Sequence, residues 1–145
     1  TAVTHLHIPA LNLHKPVHTI PLENGIWNVA DLGSDVGWLE TTAVAPDEAH
    51  AMVFVGHMTY ADDNLLEQGA FADIPALPYG TEIILDTATG SHTYRVDAVR
   101  RVSPDDTDAL YQESGSTILL LTCADWNPQQ GVYEHRLLMR ASKVK

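Results

Sequence analysis

Three side chains of this chain could between them break and remake an acyl bond: a thiol, an imidazole and a guanidinium. Cys123 is the single cysteine, and it follows the apolar run Ile118-Leu119-Leu120-Leu121-Thr122. The sequence therefore places it where a buried strand runs out into a polar loop (Asp125, Asn127, Pro128, Gln129, Gln130, Gly131). A thiol on a rigid strand can hold its sulfur towards a cleft; a free cysteine can equally be a small buried hydrophobe. His57 ends a second apolar run, Met52-Val53-Phe54-Val55-Gly56, and imidazole is the usual proton carrier near neutral pH. Arg136 opens a third run, Arg136-Leu137-Leu138-Met139-Arg140, 13 residues beyond Cys123. That spacing fits neighbouring strands, with the two side chains side by side. A guanidinium keeps its charge and offers several donors, which suits a developing oxyanion. Nucleophile, proton carrier and anion holder would each stand at a strand end.

Rival chemistries are less well supplied. The other seven histidines are His5, His7, His14, His18, His50, His92 and His135. His5 and His7 share one strand face and could make half a metal site, but no HExxH motif or Cys/His cluster completes it. These seven read as solvated or capping side chains. One cysteine forbids an intramolecular disulfide, and suits either a reducing compartment or an extracytoplasmic protein that keeps its thiol for chemistry. The balance of 8 Lys+Arg against 19 Asp+Glu, formally −11, argues against nucleic acid or an anionic membrane surface as the main partner.

The elements that must position these groups are short strands. A chain of 145 residues with 45% hydrophobic and 19% charged content reads as one globular domain over residues 1–145. Strands are expected at His5–Ile8, Leu11–His14, Ala51–Gly56, Glu82–Thr87, His92–Arg101, Thr117–Cys123 and Arg136–Lys143, with a hairpin around Thr89-Gly90. Brief helical turns are expected at Asp62–Gly69 and Asp105–Gln112. About seven short strands with few helices predict a mainly β fold, an antiparallel or mixed barrel or sandwich. The absence of a βαβ rhythm argues against a Rossmann-like or flavodoxin-like sheet. No run of about 18 apolar residues is present to span a bilayer.

The order of the motifs resembles the sortase family, cysteine transpeptidases that attach proteins to bacterial cell walls or assemble pili. His5-Leu6-His7-Ile8-Pro9-Ala10-Leu11-Asn12-Leu13 with Pro16-Val17 is similar to the family's opening strand. Val55-Gly56-His57 resembles the segment that carries its histidine, and Tyr79-Gly80-Thr81-Glu82-Ile83 and Tyr94-Arg95-Val96 resemble two central strands. Leu119-Leu120-Leu121-Thr122-Cys123 resembles the T-L-x-T-C signature, with Leu119 in place of the first Thr at a buried position. The segment from Cys123-Ala124-Asp125-Trp126-Asn127 through Gly131-Val132-Tyr133-Glu134-His135-Arg136 is most similar to class A, housekeeping-type members.

The resemblance implies a sortase-like eight-stranded β-barrel with a few short helices. It implies that Cys123 cleaves a Leu-Pro-x-Thr-Gly-like sorting signal at Thr–Gly through a thioacyl-enzyme, with His57 moving the protons and Arg136 holding the oxyanion. The acceptor would be an amine of peptidoglycan or of a pilin. The protein would work outside the cytoplasm at the cell surface, held by an upstream membrane anchor beyond this chain. The acidic calcium loop of some class A members is not recognisable. Asp47 and Glu48 stand in that region too sparsely, with Asp62 and Asp63 as the remaining candidates, so no metal or other cofactor is expected. Two other readings use the same residues: a cysteine hydrolase with water as acceptor, and a silent peptide-binding barrel in which Cys123 does not react.

Overall fold

The run Ile118–Leu121 is apolar on both faces because it is packed on both. It lies in an eleven-residue strand, and alternate residues enter two different cores. The computed structural model describes residues 1–62 and 65–144. Among the described residues twelve strands are formed: β1 (Val3–Ile8), β2 (Leu13–Ile20), β3 (Leu22–Glu23), β4 (Ile26–Trp27), β5 (Val36–Leu39), β6 (Met52–Val55), β7 (Thr59–Asp62), β8 (Leu65–Gln68), β9 (Glu82–Thr87), β10 (Gly90–Val102), β11 (Thr117–Asn127) and β12 (Val132–Lys143). Short 3₁₀ turns occupy Pro9–Leu11, Ile74–Ala76 and Thr107–Tyr111. Eight strands close a barrel in the order β1-β2-β5-β6-β11-β12-β10-β9. Two of its seams, β2–β5 and β6–β11, are parallel, and the rest are antiparallel.

Leu6, Ile8, Phe54, Tyr94, Ile118, Leu120 and Met139 belong to the core that fills the barrel. Their neighbours of opposite parity, Val53, Leu119 and Leu138, point out of the same wall. There they join Ile20, Leu39, Val102 and Leu110 in a second core. The cover over that outer face comes from the β3–β4 hairpin, whose Trp27 packs there, and from the β10–β11 connection with its Thr107–Tyr111 turn. Wall β6–β11–β12 is thus sandwiched between two apolar layers.

The expected strands are present, with shifted limits. β9 matches its expected span, and β9–β10 is the hairpin expected around Gly90. The Asp105–Gln112 signal becomes the Thr107–Tyr111 turn. Three readings need correction. Leu11 closes a 3₁₀ turn begun by Pro9, and the strand starts only at Leu13, after Asn12 has taken a left-handed φ of 52°. Of the span Asp62–Gly69 where helical turns were expected, residues 63 and 64 lie outside the described residues, and Asp62 and Leu65–Gln68 belong instead to the paired strands β7 and β8, in which Thr59 pairs with Gln68 and Tyr60 with Glu67. Leu65 and Leu66 are both exposed, so no apolar stripe exists to bury a helix there. β5 was not expected, because Gly37 interrupts its pattern. That glycine is sterically required: a Cβ there would stand 2.4 Å from the Ile20 side chain across the parallel seam.

Candidate active site

β11 and β12 bring the thiol and the guanidinium together. In their antiparallel register Cys123 lies directly opposite Arg136, where side chains on one face stand about 4.5–5.5 Å apart at Cβ. Cys123 is therefore not at the strand's end. β11 continues to Asn127 and β12 begins at Val132, so both groups lie within the paired hairpin. The reason is local: Trp126 pairs with Tyr133 and Asn127 with Val132, and the turn closes by Gly131 N–H donating to the Asn127 carbonyl at 2.8 Å. By parity with Leu119 and Leu121, Cys123 is on the outer face of the wall.

His57 arrives from the other side of β11. β6 runs parallel to β11 with Val55 beside Leu121, and the pairing persists past the strand. Gly56 N–H donates to the Leu121 carbonyl at 3.3 Å, and the buried Thr122 hydroxyl donates to the Gly56 carbonyl at 2.8 Å. Continued by two residues, this register would bring His57 level with Cys123. Two close approaches hold the His57 backbone there. A Cβ on Gly69 would lie 2.0 Å from the His57 carbonyl oxygen, and one on Gly56 would lie 2.7 Å from the Phe71 ring. The His57 carbonyl accepts from Phe71 N–H at 3.1 Å. On the ring, Nε2 stands 2.8 Å from the Val29 carbonyl oxygen, and Tyr60 lies 6.2 Å away between centroids.

A groove of about 470 Å³ lies against this arrangement. It is walled by Trp27, Val29, Val102, Asp105 and Leu110 and reaches Arg136. Arg136 is half-buried, and its Nη1 donates to the His135 carbonyl at 3.3 Å. It has no carboxylate partner among the described residues. Arg140, on the same face, pairs with Leu119 in the register and is held by Asp97 at 2.7 Å and Glu113 at 3.5 Å. Of the two arginines, Arg136 is beside the thiol with an open cationic face. Burial pushes the Cys123 thiol above its ordinary range, and the Arg136 guanidinium pulls in the opposite direction without cancelling that effect. Burial of the sulfur thus favours the protonated thiol over the thiolate.

The other candidates fall elsewhere. His5 and His7 lie on the outer face of β1 with His14 of β2; ring centroids are 5.3 Å apart for His5–His14 and 4.9 Å for His7–His14, and His14 Nε2 is 3.4 Å from Asp86. His18 is hydrogen-bonded to Asp35 at 2.7 Å, and His135 Nδ1 lies 2.8 Å from an Asp125 carboxylate oxygen. Among the described residues no three His, Cys, Asp or Glu side chains form a group that could hold a metal ion. Asp47 pairs with Lys143, and the Glu48 carboxylate accepts from Val44 N–H at 3.1 Å. Asp63 and the side chains of Asp62 and Trp126 lie outside the described residues. Sequence reasoning missed the Val29 carbonyl and Tyr60. A backbone carbonyl leaves no mark in residue type, and Tyr60 is two residues from the expected helical turn.

Residues 6–144 match the family model described as the sortase domain. The chain belongs to the sortase family. It is 24% identical over 143 residues to sortase A of Staphylococcus aureus (strain NCTC 8325 / PS 47), covering 97% of this chain and 64% of that protein. Sortase C1 of GBS Pilus Island 1 superposes with a TM-score of 0.73 at 24% identity, over 97% of this chain and 63% of its own. Sortase A from Corynebacterium diphtheriae, studied as a lid mutant, gives 0.76 at 24% identity, over 100% and 71%. The chain thus spans a little under two thirds of the first two relatives. The expected sortase-like eight-stranded barrel is the observed one, and the family is one of cysteine transpeptidases.

Proposed function

We propose that this domain is a sorting-signal transpeptidase in which Cys123 is the nucleophile, His57 the general acid and base, and Arg136 the oxyanion holder. The observation that carries the reading is the pairing of Cys123 with Arg136 on one outward face, next to the parallel strand β6 that leads into His57. Cys123, once its proton passes to His57, attacks the carbonyl of the threonine in a Leu-Pro-x-Thr-Gly-like segment lying in the groove. A carbon–sulfur bond forms, and the carbonyl electrons move to an oxyanion facing Arg136. Collapse breaks the Thr–Gly bond, and His57 returns the proton to the departing amine. An incoming amine of peptidoglycan or a pilin gives its proton to His57 and attacks the thioester, the carbon–sulfur bond breaks, and the departing Cys123 sulfur takes that proton back from His57.

No step calls for a metal. The setting is the cell surface, with membrane attachment through a segment outside this chain. The test is a peptide carrying such a signal, incubated with and without triglycine. The expected result is a ligated acyl-triglycine product that replaces hydrolysis. Hydrolysis unaffected by triglycine would make water the acceptor and overturn transpeptidation.

A further inference from the structure

The turn between β4 and β5 is tied to the proposed histidine by a chain of hydrogen bonds that the reaction scheme above does not use. Asn28 Oδ1 accepts from Ala30 N–H at 2.9 Å, a side-chain-to-backbone bond that folds residues 28–30 into a fixed turn. The Val29 carbonyl at the top of that turn accepts from Leu32 N–H at 3.1 Å and faces His57 Nε2 at 2.8 Å. Both ends of the segment are anchored. The Trp27 indole N–H donates to the Glu40 carbonyl at 2.9 Å, and Val29 and Leu32 pack into the outer core.

A carbonyl oxygen carries no proton, so His57 Nε2 must donate. In the neutral ring the proton is on Nε2 and the lone pair on Nδ1. We propose that Asn28 is a positioning residue: by fixing the Val29 carbonyl it holds His57 as the Nε2–H tautomer and makes Nδ1 the nitrogen that exchanges protons with thiol and amines. When the ring takes up a proton, the Nε2–H bond to Val29 is retained, so one ring face stays in place through the cycle. The inference rests on His57 acting as proton carrier, and extends that reading to which nitrogen works and what selects it.

The test uses the whole chain with ¹⁵N-labelled histidine, read by long-range ¹⁵N–¹H spectra of the imidazole rings at alkaline pH, beside steady-state transpeptidation. Wild type is expected to show the His57 ring protonated at Nε2. Asn28→Ala, with its thermal unfolding recorded to show that it folds, should give a mixture of tautomers. Its kcat should fall about five- to tenfold, the scale of one positioning hydrogen bond, with KM within about twofold. Asn28→Asp keeps an acceptor for Ala30 N–H and should restore both the spectrum and kcat. A wild-type ring protonated at Nδ1, a spectrum indifferent to Asn28, or an Asn28→Asp chain as slow as Asn28→Ala overturns the inference. Full turnover by His57→Ala would instead remove His57 from the chemistry, a failure that the wild-type ring spectrum reports separately.

Discussion

Two walls of the barrel gather chemically capable side chains on their outer faces, and only one of them forms an enclosed site. On β1, β2 and β9 the rings of His5, His7 and His14 gather near Asp86, with His5 and His14 exposed and His7 half-buried. On β6, β11 and β12 the outer face first buries Val53, Leu119 and Leu138 under a second apolar layer. Arg136 lines the groove beside that layer, with Cys123 opposite it in the strand register. The difference is one of solvation rather than of residue type. In the open cluster water competes for every proton and charge. Beside the covered layer, burial alone already shifts the Cys123 thiol, and a neighbouring guanidinium acts at short range through less water. A reactive site here needs a roof as well as side chains.

The largest effect that would break the comparison belongs to the thiol. Cys123→Ala should abolish turnover in a transpeptidation assay while changing stability by only about 1 kcal/mol, since a single sulfur is removed. Turnover at even a tenth of the original rate would end the cysteine mechanism. His57→Ala should cost about 10²-fold or more in kcat/KM. Next come the two arginines. Arg136→Lys keeps the charge but loses the planar fork, and should lower kcat about 10²-fold. Arg140→Lys, bound to Asp97 and Glu113 four residues further on, should be nearly silent. The reverse order would misplace the oxyanion holder.

Smaller effects sharpen the solvation argument. The thiol's proton affinity is raised by burial, so its thiolate fraction is low at neutral pH and grows as pH rises past the ordinary thiol range. Alkylation of Cys123 by iodoacetamide should accordingly quicken from pH 7 to 10. Arg136→Gln removes a charge that favours the thiolate, and should slow labelling several-fold at pH 8. The smallest effect is expected on the open wall. Replacing His5, His7 and His14 together by Gln should leave transpeptidation within about twofold, as substitutions of solvated surface groups usually do. EDTA or millimolar calcium should do the same. A large loss in that triple variant, or several-fold activation by calcium, would mean that the open wall or its acidic neighbours take part.

How much of this is legible in the sequence follows from where each signal is stored. Strands that build both cores announce themselves as apolar runs, so Thr117–Cys123 and Arg136–Lys143 were expected, and the register that pairs Cys123 with Arg136 is consistent with the 13 residues between them. His57 stood out among eight histidines because it ends an apolar run, and the family likeness pointed to the same residue. Other features are stored in backbone geometry. Gly37 hides β5 because its meaning is the room it gives Ile20. The β7–β8 hairpin has no buried face to give it a periodicity. The second core is assembled from residues far apart in the chain, Ile20, Leu39, Val53, Val102 and Leu138, which no local pattern links.

The account's central claim is that the sulfur of Cys123 becomes acylated by the amino-terminal part of a cleaved sorting signal. Intact mass spectrometry of the chain, quenched in acid after mixing with a Leu-Pro-x-Thr-Gly peptide, reads this directly. The predicted result is an adduct equal to the peptide segment ending in threonine, mapped by digestion to Cys123 and discharged on adding triglycine. An unmodified chain that nonetheless cleaves the peptide, or an adduct on any other residue, would contradict it.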